Sequence, residues 1–263
     1  MYLKYYIPKL IMEVFMRQFL IAICAIFITF GLSFGQFGGL DFSNYSSIAD
    51  LEKEVEDLNN SFHSGMNVLT WTEASAPSVI GLSIGVYSGF GGVDKNANIN
   101  LKDGGFVIGS AGIQAGFGTA GFEIFARYLP EMDLGDLKSS ALGFGLKYDI
   151  SDMIPAPGFP STSLFVDYAS QDISINDIEM GLSSINIGTI VGYDLIVIGV
   201  YGKLAVELGN TEVTWDTPAG EVKGDLDSTG FRYAVGVTLF GFRLEGGGRG
   251  SSYSVGLGYG ISL

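Results

Sequence analysis

From Pro77 to the end of the chain, apolar positions recur every second residue, the period of an extended strand whose two faces differ. Ile80, Leu82, Ile84, Val86 and Phe90 alternate with Gly81, Ser83, Gly85, Tyr87 and Gly89. Leu142, Phe144, Leu146, Tyr148 and Ile150 alternate with Gly143, Gly145, Lys147 and Asp149. In the last segment only Ser and Gly separate Tyr253, Val255, Leu257, Tyr259, Ile261 and Leu263. The pattern predicts ten strands, at 78–90, 106–117, 120–129, 140–151, 162–171, 179–193, 195–208, 229–239, 241–247 and 252–263. Connections after the first, third, fifth and seventh strands (91–105, 130–139, 172–178, 209–228) read as long and polar, and those after the second, sixth and eighth as tight turns. Long connections on one side and short ones on the other, with an even strand count, are the expected asymmetry of a membrane barrel. The Pro-rich stretch from Ser151 to Pro160 lengthens one turn on the short side.

Alternation alone also fits a soluble sandwich or a lipocalin-like barrel. The composition of the faces separates the two. One face is nearly free of charge, while the other mixes Gly and Ser with a few ionised residues. A charge on a lipid-facing position costs about 2–4 kcal/mol at the midplane, whereas a lumen tolerates it. Aromatic residues also collect at strand ends, with Phe90, Tyr128 and Tyr168 toward one rim and Tyr148, Tyr193 and Tyr259 toward the other, as two interfacial girdles require. The expected fold is therefore all-β, a transmembrane antiparallel up-and-down barrel over residues 77–263 with about ten strands, in a range of roughly 8 to 12.

Upstream the period changes. Ile48, Leu51, Val55, Leu58 and Phe62 fall on one helical stripe, and Asp50, Glu52, Lys53, Glu54, Glu56 and Asp57 cover the other faces. This amphipathic helix and its lead-in, residues 36–76, admit two placements. It is a spacer outside the barrel, or a plug that turns Ile48, Leu51, Val55 and Leu58 toward an apolar ligand route. Before it, residues 1–35 read as a secretory signal whose start is Met1 or Met16, with an apolar stretch from Phe19 to Leu32 and small residues at Ser33 and Gly35. Export by the Sec route to the outer membrane follows from the two features together.

Charge narrows the function classes. The net charge is −14, and removing residues 1–35 leaves 11 basic and 27 acidic side chains and no cysteine. That surface does not suit nucleic acid, which needs cations to displace phosphate counterions. On the face assigned to the lumen, Arg127, Lys147, Lys203, Arg232 and Arg243 accompany Glu123, Asp149, Asp167, Glu207 and Glu245. Five positive against five negative groups describe either a self-neutralising brace or a polar path without strong ion selectivity. The only histidine, His63, sits at the helix end before the first strand, so hydroxyl–histidine chemistry on the wall and a metal site of His ligands are not expected. Asp94-x-Asn96-x-Asn98 opens like a calcium loop but has Ile99 and Gly105 where glycine and a bidentate carboxylate belong. Gly256-x-Gly258-x-Gly260 lies in an alternating strand with no helix after it and reads as small lumen-facing residues. No enzyme activity, cofactor or metal is expected.

The acidic helix, the Ala76-Pro77-Ser78-Val79-Ile80-Gly81 entry, and Leu142 to Ile150 followed by the Ile154-Pro155 to Pro160 turn resemble an uncharacterised family of Gram-negative outer-membrane barrels. That family is distantly similar to the long-chain fatty-acid transporter barrels. The resemblance implies a hydrophobic substrate and an N-terminal plug, and so a small transporter or channel for a small hydrophobic molecule. The alternative is a non-transporting structural or surface-interaction envelope protein with acidic extracellular loops. Expected partners are membrane lipid, lipopolysaccharide and the barrel-assembly machinery. The chain ends in Leu263 rather than the Phe common in such barrels, so recognition by that machinery falls on Tyr259 and Ile261.

Overall fold

The computed structural model describes residues 59–93, 105–133, 137–154, 158–175, 178–195, 198–217 and 220–262. The signal segment, the stripe positions Ile48, Leu51, Val55 and Leu58, and the Asp94 to Asn98 motif lie outside the described residues.

Ten antiparallel strands close into one barrel, each paired with its sequence neighbours and the first with the last. They are β1 (Gly81–Val93), β2 (Gly105–Thr119), β3 (Phe122–Asp133), β4 (Leu137–Asp149), β5 (Ser161–Ile175), β6 (Ile178–Asp194), β7 (Ile198–Thr217), β8 (Gly220–Leu239), β9 (Phe242–Arg249) and β10 (Ser252–Ser262). A closed sheet leaves no membrane-embedded edge with unpaired backbone groups, which is the condition for crossing hydrocarbon with strands. Two short-side turns share one geometry, with Ala120 and Gly121 (φ 52° and 79°) and Phe240 and Gly241 (φ 51° and 84°) in the left-handed region. Two consecutive positive φ values fit the right-handed twist of the strands they join.

The alternation sorts as the sequence requires. Ile124, Phe144, Leu164, Ile187, Leu204, Val206, Phe231, Val235 and Leu244 are exposed on the outside. Their in-strand neighbours Phe125, Phe165, Asp167, Asn186, Ala205, Arg232 and Glu245 are buried inside. Water-exposed, such a belt would be an aggregation surface, whereas in lipid it costs nothing. Of the rim aromatics, Tyr128 and Tyr193 are exposed, and Tyr148 stacks on Phe122 with ring centroids 4.4 Å apart. Phe90 and Tyr259 depart from the expected girdles. Both are buried, Tyr259 in edge contact with Phe242 at 5.0 Å.

The polar connections expected at 130–139, 172–178 and 209–228 are corrected. The ladders continue through them, pairing Asp133 with Lys138, Ile175 with Ile178 and Thr217 with Gly220. The outward residues there are polar, as at Asp172, Glu179, Glu212, Asp225 and Asp227, because that face has risen out of the hydrocarbon. Read by composition they look like loop, yet the inward positions Ile173, Met180, Val213, Trp215 and Leu226 stay apolar and buried. The rim is uneven as a result. β9 pairs with β8 only from Arg232 to Leu239, leaving the upper half of β8 to rise beside a low β9–β10 hairpin.

Candidate functional site

The lumen is where the chain concentrates its chemistry. Residues 59–66 form a helix, α1, and residues 67–77 continue as irregular chain, all of it inside the barrel. The segment runs in one direction. At its start, Asn60 meets Arg249 beside the β9–β10 turn, and the Ser61 hydroxyl donates to the Gly92 carbonyl at 2.8 Å. Midway, Leu69 N–H donates to Glu245 at 3.2 Å, and at the far end Ala76 N–H donates to Asp149 at 3.1 Å. It therefore threads the barrel from the tall-rimmed end to the end that carries the short turns.

This route has a physical requirement. A helix leaves its last four carbonyls without intrahelical partners, and an irregular stretch leaves nearly all of them so, which is costly away from water. The wall supplies the donors. Arg232 donates to the carbonyls of His63 (3.4 Å) and Ser64 (3.0 Å), Val68 N–H reaches Gly65 O at 3.5 Å, and Arg127 donates to Met66 O at 3.3 Å. Each of the final four carbonyls of α1 is thus engaged, and two cations stand at the helix end where its dipole favours them. Further along, Arg127 donates to Val68 O (3.1 Å), Lys147 to Glu73 O (2.9 Å) and Ser75 O (2.7 Å), and the Ser163 hydroxyl to Ala74 O (2.5 Å). These residues act as the solvation shell of a buried coil.

Carboxylates then neutralise the cations. Lys147 pairs with Glu123 at 2.7 Å, Lys203 with Glu245 at 2.6 Å and Arg243 with Glu73 at 3.8 Å. Glu207, fully buried, lies 3.0 Å from Arg249, 3.7 Å from Arg232 and 3.3 Å from His63 Nδ1, and accepts from Asn67 at 3.0 Å. Among the described residues Arg127 pairs with no carboxylate. It donates to Gln114 at 3.0 Å and lies 3.9 Å above the Tyr87 ring, a cation–π contact. Asp167 accepts from Asn186 at 2.8 Å. All ten charged positions singled out in the sequence point inward, arranged in tiers along the threaded segment rather than as one lattice. Sequence reasoning missed Gln114, Asn67, Glu73, Thr211 and Arg249. For Arg249 a signal existed, since it continues the two-residue spacing of Arg243 and Glu245.

Shape matches the chemistry. On β1 and β10 the wall under the segment is paved with glycine. A Cβ at Gly89 would overlap the Gly65 carbonyl, one at Gly91 the Ser61 carbonyl and one at Gly256 a Val68 methyl. On β7, a Cβ at Gly209 would come within 2.8 Å of the His63 ring. Only glycine lets a strand and a helix approach this closely. Lower down, Trp71 packs edge-on against Phe125 with centroids 4.5 Å apart and beside Phe165. Lys147 Nζ lies 5.2 Å from the Trp71 ring.

His63 lies in α1, before the first strand as the sequence places it, and its ring meets the wall. Its Nε2 is 2.9 Å from the Thr211 hydroxyl while Nδ1 faces Glu207, so carboxylate, imidazole and hydroxyl lie in line. That is the order of a hydrolase triad, but Thr211 also donates to Asn59 at 2.7 Å and the whole row is buried against the segment. The row anchors α1. The polar cavity between Thr70, Phe165, Asp167, Asn186, Lys203, Ala205 and Arg232 has a volume of about 10 Å3, enough for about one water.

A family profile described as Family of unknown function (DUF6588) matches residues 39–260. The chain belongs to this family. No curated protein matches it. Among solved structures, it is similar to the N-terminal β-barrel domain of Pseudomonas aeruginosa OprF at 13% identity, over 72% of this chain and 99% of that one, with a TM-score of 0.31. It is similar to the outer-membrane protease OmpT from Escherichia coli at 11% identity, over 71% and 98%, with a TM-score of 0.38. Neisserial surface protein A matches at 13% identity over 70% and 96%, with a TM-score of 0.27. These are not specifically fatty-acid transporters, and at such scores no residue-by-residue correspondence follows.

Proposed function

We propose that this member of the family is an outer-membrane barrel held shut by its own N-terminal segment, a non-transporting structural or surface-interaction protein of the envelope. The observation that carries the reading is the wiring of residues 60–76 to the wall. Among the described residues the cations of the lumen are spent on carbonyls of the threaded chain and on carboxylates, which argues against a lined path for an ion. The exposed carboxylates Asp172, Glu212, Asp225 and Asp227 would bridge to the equally anionic lipopolysaccharide through divalent cations, and the C-terminal strand with Tyr259 and Ile261 is the part offered to the assembly machinery.

Passage of a small hydrophobic molecule is the second reading. It is favoured by a recess of about 270 Å3 at the short-turn end, lined by Glu73, Pro77, Val79, Ile80, Leu82 and Glu123. For it to hold, the segment must leave the lumen. Single-channel recording on the purified barrel in planar bilayers separates the two. The expected result is a silent membrane with rare brief openings at most. A steady conductance, or uptake of a hydrophobic tracer that deletion of the protein abolishes, would favour the transporter.

A further inference from the structure

The threaded segment leaves the lumen beside the β2–β3 turn, where Gly121 N–H donates to the Pro77 carbonyl at 3.0 Å, and the chain then enters the wall as β1. The inward positions of the strands that meet there are small. Ser83 of β1 stands opposite Gly116 of β2 on one side and Ser262 of β10 on the other, and Gly81 stands opposite Gly118. Farther along β1 and β10, the room made by glycine is taken up by Ser61, Gly65 and Val68 of the segment. At the short-turn end it stays open as the recess of about 270 Å3.

The recess has an acidic interior and an apolar lip. Glu73 of the segment and Glu123 of β3 both line it, their side chains 41% and 17% exposed. The cations that pair with them, Arg243 at 3.8 Å from Glu73 and the buried Lys147 at 2.7 Å from Glu123, are not part of the lining. An occupant therefore meets carboxylate and serine oxygens and no positive group. At the lip, Val79 and Ile80 are 75% and 71% exposed, and Leu82 is exposed in the outward register of Ile84, where the lipid-facing belt of β1 begins. Apolar surface exposed in this way calls for hydrocarbon or an apolar ligand against it.

A molecule that satisfies both parts joins a cation to an apolar body. The acceptors select the kind of cation. A primary ammonium brings three N–H donors for carboxylate and hydroxyl oxygens, whereas a trimethylammonium brings none and is held by aromatic faces, which the lining lacks. An anionic headgroup would be repelled by the two carboxylates. Because the lip is continuous with the hydrocarbon-facing surface, the bilayer itself supplies the ligand.

We propose that the recess is a binding site for a phospholipid with a primary-ammonium headgroup, of the phosphatidylethanolamine type, its ammonium on Glu73 and Glu123 and an acyl chain over Ile80 and Leu82. The threaded segment stays in place and contributes Glu73, so the site needs no opening of the barrel. The site rests on the membrane-spanning reading of the fold.

Native mass spectrometry of the purified barrel in detergent, offered equal amounts of dioleoyl phosphatidylethanolamine, phosphatidylcholine and phosphatidylglycerol, tests this. The parent should retain the ethanolamine lipid over the other two by about tenfold, the discrimination of one charge-assisted hydrogen bond. Glu73→Gln removes the charge but keeps the main-chain carbonyl that Lys147 uses, and should lower the ethanolamine lipid to the level of the choline lipid. Ser83→Leu fills the recess without changing its charge and should abolish the adduct. Glu212→Gln, on the exposed outer face of β7, should leave the preference intact. Equal retention of the three lipids by the parent overturns the proposal. So does a preference that survives either recess substitution, or one that Glu212→Gln also removes, because it then follows net charge. Displacement of the lipid by free ethanolamine at the same concentration would mean that the headgroup alone is the ligand, and would overturn the lipid. A parent that stays folded and monomeric without detergent sinks the membrane reading itself, which distinguishes that failure from loss of the lipid site.

Discussion

Glu207→Leu is expected to cost about 3–5 kcal/mol of folding stability, the range for removing one partner of a buried ion pair, and to loosen the threaded segment. Glu207 is the carboxylate shared by Arg249, Arg232 and His63, and it also accepts from Asn67 of the segment. Leucine is similar in volume, so the loss is electrostatic rather than a cavity. Two guanidinium groups then lie buried beside one another without the charge that offset them. Thermal unfolding in detergent, followed by the heat-dependent mobility shift of barrels on gels, measures the effect. Glu212→Leu, on the exposed outer face of the same strand, serves as the comparison and should be near neutral. Equal midpoints for the two variants would sink the claim that Glu207 anchors the plug.

The second large effect is steric. Gly91→Val places its Cβ on the Ser61 carbonyl oxygen, and a backbone atom of a helix cannot rotate away as a side-chain tip can. Overpacking of this kind costs about 1–3 kcal/mol when the structure can adjust. Here the adjustment available is displacement of α1 from the wall, which also breaks the bonds from Ser61 to Gly92 and from Arg232 to His63 and Ser64. The variant is expected to conduct in bilayers where the parent is silent. Gly246→Ala, with nothing within 4 Å of its Cβ position, should behave as the parent. A Gly91→Val barrel that stays closed would mean that the helix is not seated on the glycine surface.

The barrel was legible because lipid and lumen impose opposite demands on alternate residues, and a period of two in apolarity, as in Leu142 to Ile150, has few other causes. The tall hairpins were misread for the same reason. Once a strand leaves the hydrocarbon its outer face turns polar, and Glu212, Asp225 and Asp227 then look like loop residues although Val213, Trp215 and Leu226 keep the inward register. The lumen charges were legible as a set, but their principal partners were not. Carbonyl oxygens of residues 63–75 leave no mark in the sequence, so Arg127, Arg232 and Lys147 read as members of a mutual network when much of their hydrogen bonding goes to main chain. The glycine run at Gly256 and Gly258 was recognised as small and lumen-facing. What it makes room for, Val68 and Leu69, follows only from the threaded path.

The central claim is that residues 59–77 lie inside the barrel against the wall, and a disulfide tests it most directly. Gly256 and Val68 are so close that a pair of cysteines there, in a background without Cys24, falls within bridging distance. The account predicts that Val68→Cys/Gly256→Cys becomes oxidised on export without added catalyst, seen as a faster-running denatured band on a non-reducing gel that reverts with reductant. Two free thiols that react with an impermeant maleimide in the folded, membrane-inserted protein would contradict it.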